Sequence, residues 1–344
     1  MLEAGIPYFD APRWHLDLPF FGPMTLGMFG PTVAIGVLVG MQFSLRYAKR
    51  KDLDEWMARD QIFWTLVFGF VISHWVSVIF YFPERMYENP WVLLMIWNGL
   101  SSVGGFIGAF IGMRWFLWRH DEPVLVYADM NMYGLLIGMI FGRLGCAMVH
   151  DHPGYITESS NPLAVGPWPC PCDGDARWLS SCCAEGAGVW RYDLGLIEFV
   201  ILLALGAFVY FGYNWRKAPA GQLTGIISLV YGPTRFLLDH LRESEVSSNV
   251  SAPDARYLGL TPAQYATLGF TLVGIYLVFI HKPGAKDQAY AKDSDRLARE
   301  KAAAEGRDPD APAPESAHSA LDDEGDGPQE AAPNDDSRRA SPPH

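Results

Sequence analysis

Apolar residues gather into seven runs near positions 26–45, 61–82, 92–117, 124–149, 194–213, 222–241 and 263–281. Each is long enough to cross the hydrocarbon core of a bilayer. The pattern predicts an all-α polytopic membrane protein of seven transmembrane helices, since a helix satisfies its own backbone N–H and C=O groups where water is absent. Lys and Arg collect after alternate runs: Arg46, Lys49, Arg50 and Lys51 after the first, Arg114 and Arg119 at the third, Arg216 and Lys217 after the fifth, Lys282 after the seventh. Cytoplasmic loops concentrate positive charge, so this bias puts the N-terminus outside and the C-terminus in the cytoplasm. Residues 1–25 contain four prolines and mixed charge, with Trp14, Phe20 and Phe21 suited to the headgroup layer. They are expected to form an interfacial segment rather than a cleavable signal peptide.

Composition changes this picture at two places. The chain has 344 residues, half of them hydrophobic, but that average joins two unlike parts. Residues 26–284 make up the membrane domain. Residues 285–344 hold 15 acidic and 8 basic residues and no apolar run, and account for 7 of the 12 net negative charges. Such a segment cannot bury enough apolar surface to order itself, so a disordered acidic cytoplasmic tail is expected. The second place is the long loop at 151–193, which the orientation puts outside. It carries four of the five cysteines, Cys170, Cys172, Cys182 and Cys183. An oxidising compartment favours disulfides among them, with three pairings open. A metal site is the alternative, given His150 and His152 nearby, although CxC plus CC lacks the usual zinc spacing. Cys146, inside the fourth run, reads as a small packing residue, and no metal site is assigned.

Polar residues inside the apolar runs carry the candidate chemistry. The stretch MIFGRLGCAMVHDHPG, from Met139, puts Arg143 within an apolar run and His150, Asp151 and His152 at its end. In the sixth run, YGPTRFLLDHLRE brings Tyr231, Arg235, Asp239, Arg242 and Glu243, and the fifth opens with Asp193 and Glu198. With alternating direction, all three clusters fall near the outer leaflet. An arginine at membrane depth is costly and takes an anionic partner. That partner is either a buried carboxylate or the phosphate of a lipid, whose oxygens match the planar guanidinium fork. Gly99, Gly104, Gly105, Gly108 and Gly112 in the third run suit close helix packing. The Gly104–Gly105 pair could instead break the helix and offer amides to an anion.

Four segments resemble the prolipoprotein diacylglyceryl transferase family: GPMTLGMFGPTVAIGVLVG from Gly22, WNGLSSVGGFIG from Trp97, GRLGCAMVHDHPG from Gly142 and YGPTRFLLDHLRE from Tyr231. The resemblance extends from about Gly22 to residue 280. It implies a seven-span bacterial inner-membrane enzyme embedded in the lipid bilayer. Such enzymes move diacylglyceryl from phosphatidylglycerol to the lipobox cysteine thiol of a preprolipoprotein, releasing glycerol phosphate. On that resemblance Arg143, Arg235, Tyr231, Gly104, Gly105 and Gly154 are expected to bind phospholipid. His150 or His152 is expected to serve as base, with Asp151 or Asp239 orienting it. Gly142, Gly145, Gly232, Arg242, Glu198 and Gln264 also match. Val103 stands where the family has a histidine, Phe29 where it has a tyrosine, and His74 where it has an arginine. Cys146 and Val149 replace two asparagines, and Asp151 and Asp239 replace glutamates. These departures keep a second reading open, a catalytically altered relative that binds anionic phospholipid or lipoprotein as a scaffold. A transporter is weaker, since no internal repeat is visible. No cofactor and no nucleic-acid partner is expected.

Overall fold

The computed structural model describes residues 4–18, 22–81, 83–95, 99–168, 188–242 and 258–282. Cys170, Cys172, Cys182, Cys183, Phe20, Phe21, Trp97, Glu243 and the tail at 285–344 lie outside the described residues. The long helices follow the apolar runs. Helix α1 is Phe29–Arg50 and α2 is Glu55–Val76, which widens into a π-helical turn at Ser77–Tyr81. After a short α3 (Pro83–Glu88), α4 is Ser102–His120 and α5 is Val124–Val149. Then α6 is Leu194–Ala207, α7 is Gln222–His240 and α8 is Pro262–Ile275. Five of these, with their π-helical extensions, are long and apolar enough to cross a membrane: Phe29–Arg50, Glu55–Phe80, Val124–Val149, Leu194–Gly212 and Pro262–Ile280. The other two expected spans, α4 and α7, are 19-residue helices with more polar character.

The third expected run, 92–117, is not one helix. Asn89 accepts a hydrogen bond from Trp91 N and Pro90 opens a separate 3₁₀ turn, Pro90–Leu94. Proline is tolerated there because the first helical N–H needs no partner. Gly99 then turns the chain at φ 92°, a left-handed conformation that glycine reaches without a Cβ clash. Ser101 caps α4, its hydroxyl accepting from Gly104 N. Helix α4 therefore starts ten residues later than the apolar run does.

The all-α expectation also needs a correction, because six short strands are present among the described residues. Strands β2 (Trp14–Leu18) and β3 (Gly22–Leu26) form an antiparallel hairpin. A four-stranded sheet runs β1 (Ile6–Pro7), β5 (Ala164–Gly166), β6 (Trp190–Asp193), β4 (Pro153–Thr157). Its strands are two to five residues long, too short to register in a pattern dominated by twenty-residue apolar runs. Helix packing is pairwise: α2 lies along α4, α1 along α5 and α7 along α8. Glycine permits the first contact, since a Cβ on Gly108 would meet Ile72 Cβ at 2.8 Å and Gly69 Cα at 3.0 Å.

Candidate active site

The sheet gathers three helix ends. In Asp151–His152–Pro153–Gly154 the proline cannot continue a helix and biases the preceding residue away from helical geometry. So α5 stops at Val149, with His150 in a left-handed cap at φ 51°, and β4 begins at Pro153. Strand β6 pairs antiparallel with β4, Pro153 opposite Asp193, and Leu194 N donates to His152 O at 3.1 Å. Asp193 ends the strand and caps α6, accepting from Leu196 N at 3.0 Å. The end of α7 joins the other side of β4, with Gly154 bridged to Arg242 and Tyr155 N donating to Leu241 O. The end of α5, the start of α6 and the end of α7 thus converge.

One buried carboxylate lies at their meeting point. Glu198 on α6 is 1% exposed and receives both expected arginines. Arg235 Nη1 donates to its Oε2 at 2.9 Å, and Arg143 Nε lies 2.8 Å from its Oε1. The second contact is an ion pair whose angle falls short of a hydrogen bond. Tyr231, buried on α7, belongs to the same group. Asp239 Oδ1 is 3.7 Å from Arg235 Nη2, and its Oδ2 accepts from Thr261 Oγ1 at 2.6 Å. Thr261 with Gln264 forms the capping box of α8, so Asp239 also ties α7 to α8. A charged pair this deep needs complementary geometry to offset its desolvation. Glu198 supplies it by giving one oxygen to each guanidinium, and each guanidinium commits only part of its five N–H donors to the carboxylate.

The two histidines have different surroundings. His150 is buried, with Nδ1 2.5 Å from Asp193 Oδ2 and Nε2 3.0 Å from the Phe9 carbonyl. Both ring nitrogens are therefore engaged, one by a carboxylate and one by a backbone carbonyl. The ring also stacks on Tyr8, with centroids 4.4 Å apart, beside Trp168. It anchors the N-terminal segment to Asp193 through its two ring nitrogens. His152 lies on the cluster itself. Its Nδ1 donates to Asp151 Oδ1, and its Nε2 faces Arg143 Nη1 at 3.4 Å. A guanidinium only donates, so Nε2 holds the lone pair. Burial lowers the His152 pKa and outweighs the opposing pull of Asp151, favouring the neutral ring. For Asp151 burial acts upward, but the His152 hydrogen bond and nearby charges hold the carboxyl below its ordinary value. Arg143 Nη1 also contacts Cys146 Sγ at 3.6 Å.

The expected glycines are placed as packing elements. The helix does not break at Gly104–Gly105: Gly104 N donates to Ser101 Oγ and Gly105 N to Ser101 O, so neither amide is offered to an anion. A Cβ on Gly104 would lie 2.7 Å from Val76 Cβ, whereas one on Gly105 would find ordinary space, 3.8 Å from Ser73 Oγ. Gly154 lets the sheet close, since a Cβ there would meet Tyr192 Cβ at 2.9 Å. His74, which stands at the position of the family's second-span arginine, is fully buried and makes contacts of 3.0 Å to Gly99 O and 2.7 Å to Val92 O. It fastens the segment before α4 to α2. Glu198 stands out in the sequence as an acidic residue opening the fifth run and as a match to the family, but its pairing with both arginines is visible only in the fold.

The comparisons with known proteins fall on the same part of the chain. The family model for prolipoprotein diacylglyceryl transferase matches residues 18–280. A phosphatidylglycerol–prolipoprotein diacylglyceryl transferase of Roseobacter denitrificans is 25% identical over 308 residues, covering 80% of this chain and 98% of the relative. The protein of that name from Actinobacillus pleuropneumoniae serotype 3 is 26% identical, covering 68% of this chain and 82% of its own length. The one from Bradyrhizobium diazoefficiens is 24% identical, covering 78% and 94%. The match takes in α1 to α8 and the whole arginine–carboxylate cluster, and on it the chain belongs to the prolipoprotein diacylglyceryl transferase family.

Proposed function

We propose that this chain transfers the diacylglyceryl group of phosphatidylglycerol to the lipobox cysteine thiol of a preprolipoprotein. The observation that carries the reading is the convergence of Arg143 and Arg235, from α5 and α7, on Glu198. Held by one carboxylate, the two guanidiniums present their remaining donors together, as recognition of a phosphodiester requires. The reaction forms a C–S bond at the glyceryl carbon and breaks its C–O bond to phosphate. The electron pair leaves on glycerol phosphate, where the arginines stabilise it. His152 Nε2 takes the thiol proton, with Asp151 fixing the ring. Asp239 positions Arg235, and Tyr231 completes the binding wall. The reading includes seven spans in a bacterial inner membrane, with the N-terminus outside and the C-terminus cytoplasmic. Residues 1–25 then form an interfacial segment, 26–284 the membrane domain and 285–344 an acidic cytoplasmic tail.

The test is a transfer assay with purified protein, phosphatidylglycerol radiolabelled in its acyl chains and a lipobox peptide. Labelling of the cysteine peptide but not of its Cys→Ser control is the expected result. No labelling, with phosphatidylglycerol still bound, would overturn the transferase and leave a lipid-binding scaffold.

A further inference from the structure

Beside the arginine pair, the two residues assigned to proton transfer share a donor set with Cys146, to which transfer gives no role. Cys146, Asp151 and His152 each offer one ligand atom, and the sulfur, oxygen and nitrogen all lie within 4.8 Å of one another. The thiol sulfur lies within 4.8 Å of the Asp151 carboxylate. A cation seated between them would meet both the sulfur and the oxygen. His152 presents Nε2 as a lone pair, because Nδ1 donates to Asp151. Thiolate, imidazole and carboxylate are the donor types of a zinc site with three protein ligands and an open fourth position.

The charge balance points the same way. Two positive side chains, Arg143 and Arg235, face three negative ones, Glu198, Asp239 and Asp151. With neutral His152 the cluster has one negative charge in excess, and a Cys146 thiolate would make two, which one divalent cation neutralises. Thiol and imidazole already converge on a positive group, since Arg143 Nη1 is 3.6 Å from Sγ and 3.4 Å from Nε2.

We propose that Cys146, Asp151 and His152 form a binding site for a thiophilic divalent cation of the zinc class, and that filling it stops transfer by occupying the His152 lone pair. The second half rests on the proposed role of His152, and the first does not.

Cobalt(II) is the probe for the site. It is titrated into the purified full-length protein and into Cys146→Asn, which keeps a side chain of similar size, and the two spectra are subtracted. Contributions from the loop cysteines cancel in that difference. A thiolate-to-cobalt charge-transfer band in the difference is expected. Arg143→Gln should tighten cobalt binding by more than about tenfold, because it removes a positive charge from the cation's immediate surroundings. Absence of the band, or unchanged affinity in Arg143→Gln, would overturn the site. Zinc should then suppress transfer by the wild type and leave Cys146→Asn active. A difference band with zinc-insensitive transfer in the wild type would overturn the second half alone. If the protein shows no transfer at all, the blocking role falls with the proposed function, and the cobalt spectra still decide the site.

Discussion

At the scale of single residues, Glu198 carries the heaviest consequence, because two buried cations depend on it. Glu198→Gln keeps the shape and removes the charge. Breaking a buried ion pair from one side costs about 3–5 kcal/mol, since the remaining charge is left uncompensated. Transfer should fall at least about a hundredfold, as two positioned phosphate donors are lost together. Melting in detergent and the transfer rate, measured on the same preparation, check both effects. The two histidines should separate by kind. His152→Asn should lose transfer with little change in melting temperature. His150→Asn should lower the melting temperature by loosening the Phe9 segment. If the two variants behave alike, the distinction drawn from their ring nitrogens is wrong. That distinction was not legible in the sequence, where the residues stand two apart in the same polar cluster. Their difference comes from Asp193 and Phe9, 43 and 141 positions away.

At the scale of elements, the helices from α5 onward begin where the apolar pattern puts them, while α2 and α4 do not. Helix α5 has the same bounds as its apolar run, and α6, α7 and α8 begin within one residue of theirs. Their contacts are more specific than their apolar character. Gly104 and Gly105 look equivalent in sequence, yet only Gly104 is pressed tightly against α2. Gly104→Ala should destabilise by about 1–3 kcal/mol, as overpacking of a tight contact does, while Gly105→Ala should be near neutral. Comparison of the two melting curves tests this. Asp129 lies in the apolar run of α5. It is buried on α5 and accepts from Gly221 N at 2.8 Å, Thr224 N at 2.7 Å and Thr224 Oγ1 at 2.6 Å. It caps α7 from another helix, so Asp129→Ala should cost about 1–2 kcal/mol, as loss of a capping group does, and should leave substrate affinity unchanged. A shift in apparent affinity for phosphatidylglycerol would contradict a purely architectural role.

At the scale of the whole molecule, the family match ends at residue 280, and the acidic stretch that follows carries none of the cluster. Truncation after Lys282 should leave the transfer rate within about twofold, which a single rate comparison decides. The sequence by itself determined what depends on neighbouring residues: where long apolar helices begin and end, where Pro153 stops one, and which residues put charge inside them. Hydrophobic run length, capping and proline geometry act within a few positions, so they can be read without a fold. Only the tertiary structure decided which charge meets which. Strand pairing of 153–157 with 190–193 brings α5 and α6 together across a long loop, and Leu241 and Arg242 close the third side. The partner of a buried arginine is set by that convergence. Its energy comes from complementary charges at about 3 Å in a medium of low polarity, and nothing in the local sequence records the distance.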